Sequence, residues 1–478
     1  MSTHETTSHR GGSLYRAVWR WHFYAGILVA PLVILLGITG AIYLWKPQFE
    51  AWRYRDILHV SGAGERSSAE VQLAAARAAA PEDWRVVSFQ PSFAADEPAQ
   101  VTLRPGQDRR PFGPGLTIYV DPLTARVLGQ IDDRDRFMTT VRDLHGSLLV
   151  GKPGEYVVEL AASWALVLFL TGLYLAWPRP RFVVWGFVLP RLRATGRVFW
   201  RDIHAVPAVW LSGVTVFLLA TGLLWSQASG KWYRTISAAF GQGTPVESNA
   251  GAHRSELTGW SPPLQSGLAE KIDSLVSTPP ADHGGHADHA DAATATEASH
   301  GERAAGSIAL DRVVVLASQA RVPTPYAIAL PVGPRGVFSV ISDRNQAFNR
   351  TYLHLDQYSG RVLADVRFRD FGLLAQFALW GIIAHEGQLF GLANQILGTV
   401  AALGVVLLAV SGLVLWWRRR PAGRLGAPAS SSRVPHPVWI GAIGLAVLLP
   451  LLAASLACVA TTDWLMGRIV DRTRGRTA

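Results

Sequence analysis

Residues Trp21 to Trp45 form one apolar run of 25 residues without Asp, Glu, Lys or Arg, and His22 stands at its entrance. As a helix such a run is about 37 Å long, enough to cross a hydrocarbon core of ~30 Å. Seventeen residues after the histidine comes Thr39-Gly40, and the chain repeats the pattern: His204 is followed seventeen residues later by Thr221-Gly222. A second pattern is also duplicated. His145 precedes Thr171-Gly172 by 26 residues and Trp177 by 32, and His385 precedes Ser411-Gly412 by 26 and Trp417 by 32. Offsets that match over such lengths mark an internal repeat. The unit reads as histidine-led span, soluble insert, histidine, second span.

Further spans are expected at about 156–177, 205–226, 394–417 and 438–460. The first run is too long for the apolar core of a cleaved signal peptide, so it reads as an uncleaved span. Eighteen tryptophans suit a chain with many water–lipid interfaces. Arginines 179, 181, 191, 193, 197 and 201 meet no acid before Asp202, and Arg418, Arg419, Arg420 and Arg424 follow the fourth span. Both groups fall on the side of the N-terminus if every span crosses, which puts all three in the cytoplasm. The net charge of +10 is therefore read as membrane topology, with lipid and not nucleic acid as the partner. A fifth span strains the rule, since Arg468, Arg472, Arg474 and Arg476 would lie outside and Pro450 interrupts it.

The expected layout is then a cytoplasmic N-terminus (1–20), a first span (21–45) and an outer domain (46–144). A histidine segment with the second span (145–177), a basic cytoplasmic loop (178–204) and the third span (205–226) follow. The second half has an outer region (227–384), a histidine segment with the fourth span (385–417) and a cytoplasmic loop (418–437). The fifth span (438–460) and a tail (461–478) close the chain. Each outer segment carries an α+β pattern. In the first, a helix over 69–80 precedes strands at 84–89, 100–104 and 116–120; the second has a helix over 310–320 and strands at 326–331, 337–342 and 351–355. The linker 278–306 is rich in Ala, Asp, Gly and His and lacks the apolar content to fold alone.

The four histidines carry the candidate chemistry. One histidine at a span entrance is commonly an interfacial residue bonded to headgroups or backbone, because an ionisable group at a membrane needs a partner. Four at repeat-equivalent positions admit a second reading. A pseudo-twofold axis along the membrane normal would face His22 with His204 and His145 with His385. Two such bis-imidazole pairs could hold two b-type haems, which need no cysteine. The single Cys458 excludes an intramolecular disulfide, a Cys-ligated iron–sulfur cluster and a CxxCH haem attachment. Gly40, Gly172, Gly222 and Gly412 could admit a haem face, though close helix packing is the more usual role of small residues. Arg53, Arg55 and Arg234 could clamp an anion or simply anchor at the interface. His283, His286, His289 and His300 could collect a metal or bind one loosely. No glycine-rich dinucleotide fingerprint follows a strand, so electrons would have to come from another protein, from quinol or from a soluble carrier.

The turn Asp121-Pro-Leu-Thr-Ala-Arg-Val-Leu-Gly and its partner Asp356-Gln-Tyr-Ser-Gly-Arg-Val-Leu resemble the closing hairpin of PepSY domains. Together with His22…Thr39-Gly40 and Leu144-His145-Gly-Ser-Leu-Leu, they make the chain resemble PepSY-associated transmembrane proteins over about residues 15–420. The resemblance implies two PepSY-like domains outside a bacterial inner membrane. It also implies a haem-dependent reductase that passes electrons to a periplasmic ferric siderophore, with His22, His145, His204 and His385 as haem ligands. Two other readings stay open: a regulatory membrane protein whose PepSY domains bind peptide or a protease, and a metal permease.

Overall fold

The computed structural model describes residues 5–106, 108, 114–178, 183–256, 304, 306–342, 348–420, 436–459 and 461–462. The histidines of the 278–306 linker, Arg179, Arg181, Arg424 and the four arginines of the tail lie outside the described residues. The chain divides into two compact units. One is built from Met1–Trp45, Thr140–Tyr233 and Ala384–Ala478, the other from Lys46–Thr139 and Arg234–Ile383.

In chain order, α1 (Glu5–Tyr43) is followed by α2 (Lys46–Arg53), α3 (Arg55–Leu58) and α4 (Ala69–Ala78). Strands β1 (Trp84–Gln90), β2 (Ala99–Pro105), β3 (Leu116–Val120) and β4 (Val127–Asp132) lead into α5 (Phe137–Ser147) and α6 (Lys152–Ala176). The second half has α7 (Gly196–Leu223), α8 (Ala228–Ala239), α9 (Leu310–Gln319) and strands β5 (Ala327–Ala329), β6 (Val337–Ser342), β7 (Thr351–Asp356) and β8 (Val362–Arg367). Helices α10 (Leu373–His385), α11 (Leu392–Arg419), α12 (His436–Leu448) and α13 (Pro450–Val459) complete it.

The first unit is a helical bundle. Among the described residues, four helices are long and apolar enough to cross a membrane: Leu14–Tyr43, Lys152–Ala176, Gly196–Leu223 and Leu392–Arg419. The protein is thus a multi-pass α-helical membrane protein. Its spans form a ring in which α1 adjoins α6 and α11, and α7 adjoins the same two from the opposite side. Small residues bring the backbones together. A Cβ on Gly37 would lie 2.9 Å from the Ala402 carbonyl, and one on Gly404 would run into Leu211. The single span expected at 438–460 is instead two shorter helices, α12 and α13. The break falls at Leu449-Pro450, where proline has no N–H to continue the helical ladder. Leu449 and Leu452 are buried there against Leu223, Trp164 and Val167.

An acid inside α6 settles the start of α8. Glu159 is 1% exposed, and its carboxylate accepts from the Ala228 and Ser229 amides at 2.8 and 2.7 Å and from the Ser229 hydroxyl at 2.6 Å. A buried carboxylate needs such donors, and the first amides of a helix lack partners of their own.

The second unit is one antiparallel sheet in the order β4-β3-β2-β1-β5-β6-β7-β8. Strands expected in two separate segments are therefore continuous, joined where Ser88 pairs with Ala329 and Phe89 with Ile328. Alternate residues such as Phe89, Val101, Ile118, Ile328, Phe338 and Leu353 point into a single core beneath α4 and α9. The two helices cap each other. Asp311 accepts from the Ala69 and Glu70 amides at 2.7 and 3.3 Å, and Glu70 accepts from the Leu310 amide at 2.6 Å. Each acid thus meets the positive N-terminal end of its neighbour. The hairpins close on aspartates: Asp121 takes the Leu123 amide at 2.8 Å, and Asp356 the Tyr358 and Ser359 amides at 3.0 and 2.8 Å.

His354 on β7 is fully buried, bonded to the Ser339 hydroxyl at 2.8 Å and to the Ser248 carbonyl at 3.1 Å. Burial pushes its pKa down from 6.5 to about 4; the Ser248 carbonyl opposes that shift and nearby His253 adds to it. Once unfolded, the residue protonates near 6.5, so between 6.5 and 4 the unfolded chain binds more protons. Stability of the sheet unit should hold above that window and fall as pH drops through it. The protection factors of amides 248–256, from hydrogen exchange corrected for the intrinsic rate at each pH, should fall between pH 6.5 and 4. The His354→Gln variant should lose that pH dependence.

Candidate functional site

The bundle sets its histidines in two layers. Along α1, His22 and Thr39 are seventeen residues apart, about 26 Å of helix. The first layer contains His22 of α1 and His204 of α7, which occupy opposite corners of the ring. Their ring centroids are 6.4 Å apart and their planes nearly perpendicular, at 82°. In the second layer His145, in the last turn of α5, and His385, at the end of α10, lie near enough for their charges to interact. Between α5 and α6 the chain turns sharply through Leu148, Leu149 and Gly151, all at positive φ. The structure therefore brings the four residues together as two pairs.

Each ring is held by a neighbouring helix in the same way. His22 Nδ1 meets the Thr171 hydroxyl of α6 at 2.8 Å, and His145 Nδ1 meets the Thr39 hydroxyl of α1 at 3.0 Å. His204 Nδ1 meets the Ser411 hydroxyl at 3.1 Å and the Leu408 carbonyl at 2.9 Å, both on α11. His385 Nδ1 meets the Thr221 hydroxyl at 3.2 Å and the Leu218 carbonyl at 2.9 Å, both on α7. With Nδ1 so engaged, Nε2 is the nitrogen left for a ligand.

The four glycines lie directly under these rings. A Cβ on Gly40, Gly172 or Gly222 would come within 3.2 Å of the ring Cε1 of His145, His22 or His385, and one on Gly412 within 3.3 Å of His204. Their role is thus to let an imidazole approach the neighbouring helix, which neither sequence reading supplied. Helix-to-helix packing falls to Gly37, Gly398 and Gly404. Sequence reasoning also missed Thr39, Thr171, Thr221 and Ser411 as partners of the rings. Their signal was present, since each precedes a glycine at a repeated distance from a histidine.

The donor set fits haem. Two imidazoles sharing one metal atom, with metal–nitrogen bonds of ~2 Å, have centroids about 6 Å apart, and His22 and His204 stand at 6.4 Å. Among the described residues no group of three or more His, Cys, Asp or Glu could hold a metal ion. A haem, which supplies most of its iron's ligands itself, would need only two protein nitrogens, such as those of His22 and His204.

Basic and aromatic residues gather at the first-layer end of the bundle. Arg191 grips the buried Asp202 through Nε at 2.7 Å and a terminal nitrogen at 2.9 Å, and that bond holds its guanidinium above its ordinary pKa. Arg418 stacks over Trp200, Arg419 over Trp19 and Arg420 over Trp417. Arg53 lies over Tyr54 and Arg55 pairs with exposed Asp56.

The family described as PepSY-associated TM region matches residues 19–419, which include all four histidines and their hydroxyl partners. No curated protein matches the chain.

Alanine at Gly172 or Gly412 should push His22 or His204 off its hydroxyl by a few tenths of an ångström. A first layer that takes haemin would then bind it roughly tenfold or more weakly. Titration of purified protein, followed by absorbance, should find the second layer unaffected.

Proposed function

The chain belongs to the PepSY-associated TM region family, and from that premise we propose that it is a di-haem reductase of a bacterial inner membrane. It passes electrons outward to a periplasmic ferric siderophore. The observation that carries the reading is the His22–His204 pair, with centroids 6.4 Å apart and both Nδ1 atoms turned onto neighbouring helices. His22 and His204 would hold one b haem, and His145 and His385 the other. Haem iron held in this way supplies a one-electron redox centre at each level of the bundle. The protein's own part is to fix the ring planes through Thr171, Ser411, Thr39 and Thr221 and to surround the pairs with apolar helix.

Direction follows from charge. Arg191, Arg418, Arg419 and Arg420 accumulate at the first-layer end, so that end and the N-terminus are assigned to the cytoplasm. The second layer then lies on the outer side, where a charged, membrane-impermeant ferric chelate can be reached. We assign the two halves of the eight-stranded sheet to two PepSY-like domains on that side, one from each copy of a duplicated unit. Electrons enter from quinol or a cytoplasmic reductant.

Pairing makes the reading testable. Purified protein supplied with haem should show a Soret band and reducible α/β bands. His22→Ala and His204→Ala should each abolish the same spectral component, and the double variant should lose little more, because either change removes one of the two residues that would hold the haem. A colourless protein, or losses that simply add, would remove the proposal. His145→Ala or His385→Ala should stop reduction of a ferric siderophore while the first centre stays reducible.

A further inference from the structure

The hydroxyl groups beside the histidines have a fixed hydrogen-bonding sense. Each carries one proton, directed along its own helix to the carbonyl four residues back. Thr171 reaches Val167 at 2.7 Å, Thr39 reaches Leu35 at 2.8 Å, Thr221 reaches Phe217 at 2.8 Å and Ser411 reaches Leu407 at 2.7 Å. With its proton committed there, the hydroxyl can only accept from the imidazole. The Leu408 and Leu218 carbonyls beside His204 and His385 likewise can only accept. This arrangement favours a proton on Nδ1 and a lone pair on Nε2 in all four histidines. An acceptor that draws on Nδ1–H makes Nε2 more basic, and a more basic ligand favours the oxidised metal.

We infer that Thr39, Thr171, Thr221 and Ser411 are positioning residues. They fix the tautomer and ligand strength of the four histidines and so set the reduction potential of each centre. The proton placement stands on the protein's own bonds; the effect on potential rests on the haem reading above. Fourfold recurrence in one register argues against chance packing. Buried Thr215 on α7, which bonds no histidine, shows that a hydroxyl at the bundle interior need not take this role.

Valine replaces threonine with the same shape and no hydroxyl, which makes it the informative change. Thr171→Val should keep both haems and raise the potential of the His22/His204 centre. The shift should be about tenfold in the reduction equilibrium, ~59 mV for one electron. Thr171→Ser should restore it, and Thr39→Val should move the other centre instead. An unshifted potential in Thr171→Val, or a shift or haem loss that serine fails to rescue, would assign these residues to packing and overturn the inference. Nitrogen-15 NMR of the histidine-labelled, haem-free full chain provides a readout independent of haem. Protonated Nδ1 at all four residues supports the inference, and protonated Nε2 sinks it. A wild-type chain that binds no haem would defeat the functional proposal, yet the NMR result would still decide the placement of the protons.

Discussion

A histidine inside an apolar bundle needs a partner for each polar ring atom, and here the partner comes from the next helix. That single hydrogen bond, made four times, ties the rest of the bundle together. It requires a hydroxyl already satisfied along its own helix and a residue without Cβ beside it, so that the ring can come close. Thr-Gly or Ser-Gly meets both needs in two residues. Gly172 leaves the gap and Thr171 supplies the acceptor, 2.8 Å from His22.

The bonds also cross-link the spans in a reciprocal way. Helix α1 contributes His22 to one layer, where α6 holds it through Thr171, and α1 in return holds His145 through Thr39 in the other layer. Helices α7 and α11 repeat the exchange around His204, which Ser411 holds, while Thr221 of α7 holds His385. Sliding α1 or α7 would break both layers of a half at once, because each carries a histidine for one layer and a hydroxyl for the other. The vertical spacing of the layers is thus set by helix geometry over seventeen residues, about 26 Å.

Reciprocity recurs within the sheet unit by different chemistry. Glu70 and Asp311 each accept from first-turn amides of the other's helix, so these bonds of α4 and α9 form only when the two lie side by side. The β1–β5 pair beneath them turns two sets of four strands into one sheet. Both contacts favour joining the two inserts over keeping them apart, because inner edges of β1 and β5 left unpaired would expose backbone donors and acceptors.

Much of the architecture was legible locally. Four of five apolar runs became span-length helices, since length and scarcity of charge are properties of the segment itself. Leu116–Val120 and Val337–Ser342 are strands with the expected limits, because alternation and flanking turns act over a few residues. The repeat offsets selected the four histidines before any geometry was known. What a side chain touches across a helix boundary could not be read this way. Which helices adjoin decided that Gly172 faces an imidazole while Gly37 faces the Ala402 backbone. It also decided that Glu159, an unremarked acid in a membrane run, meets the first amides of α8. Local sequence determined the helices, the strands and the candidate ligands. Tertiary structure alone decided their partners, because a hydrogen bond depends on distance in space and the sequence records only distance along the chain.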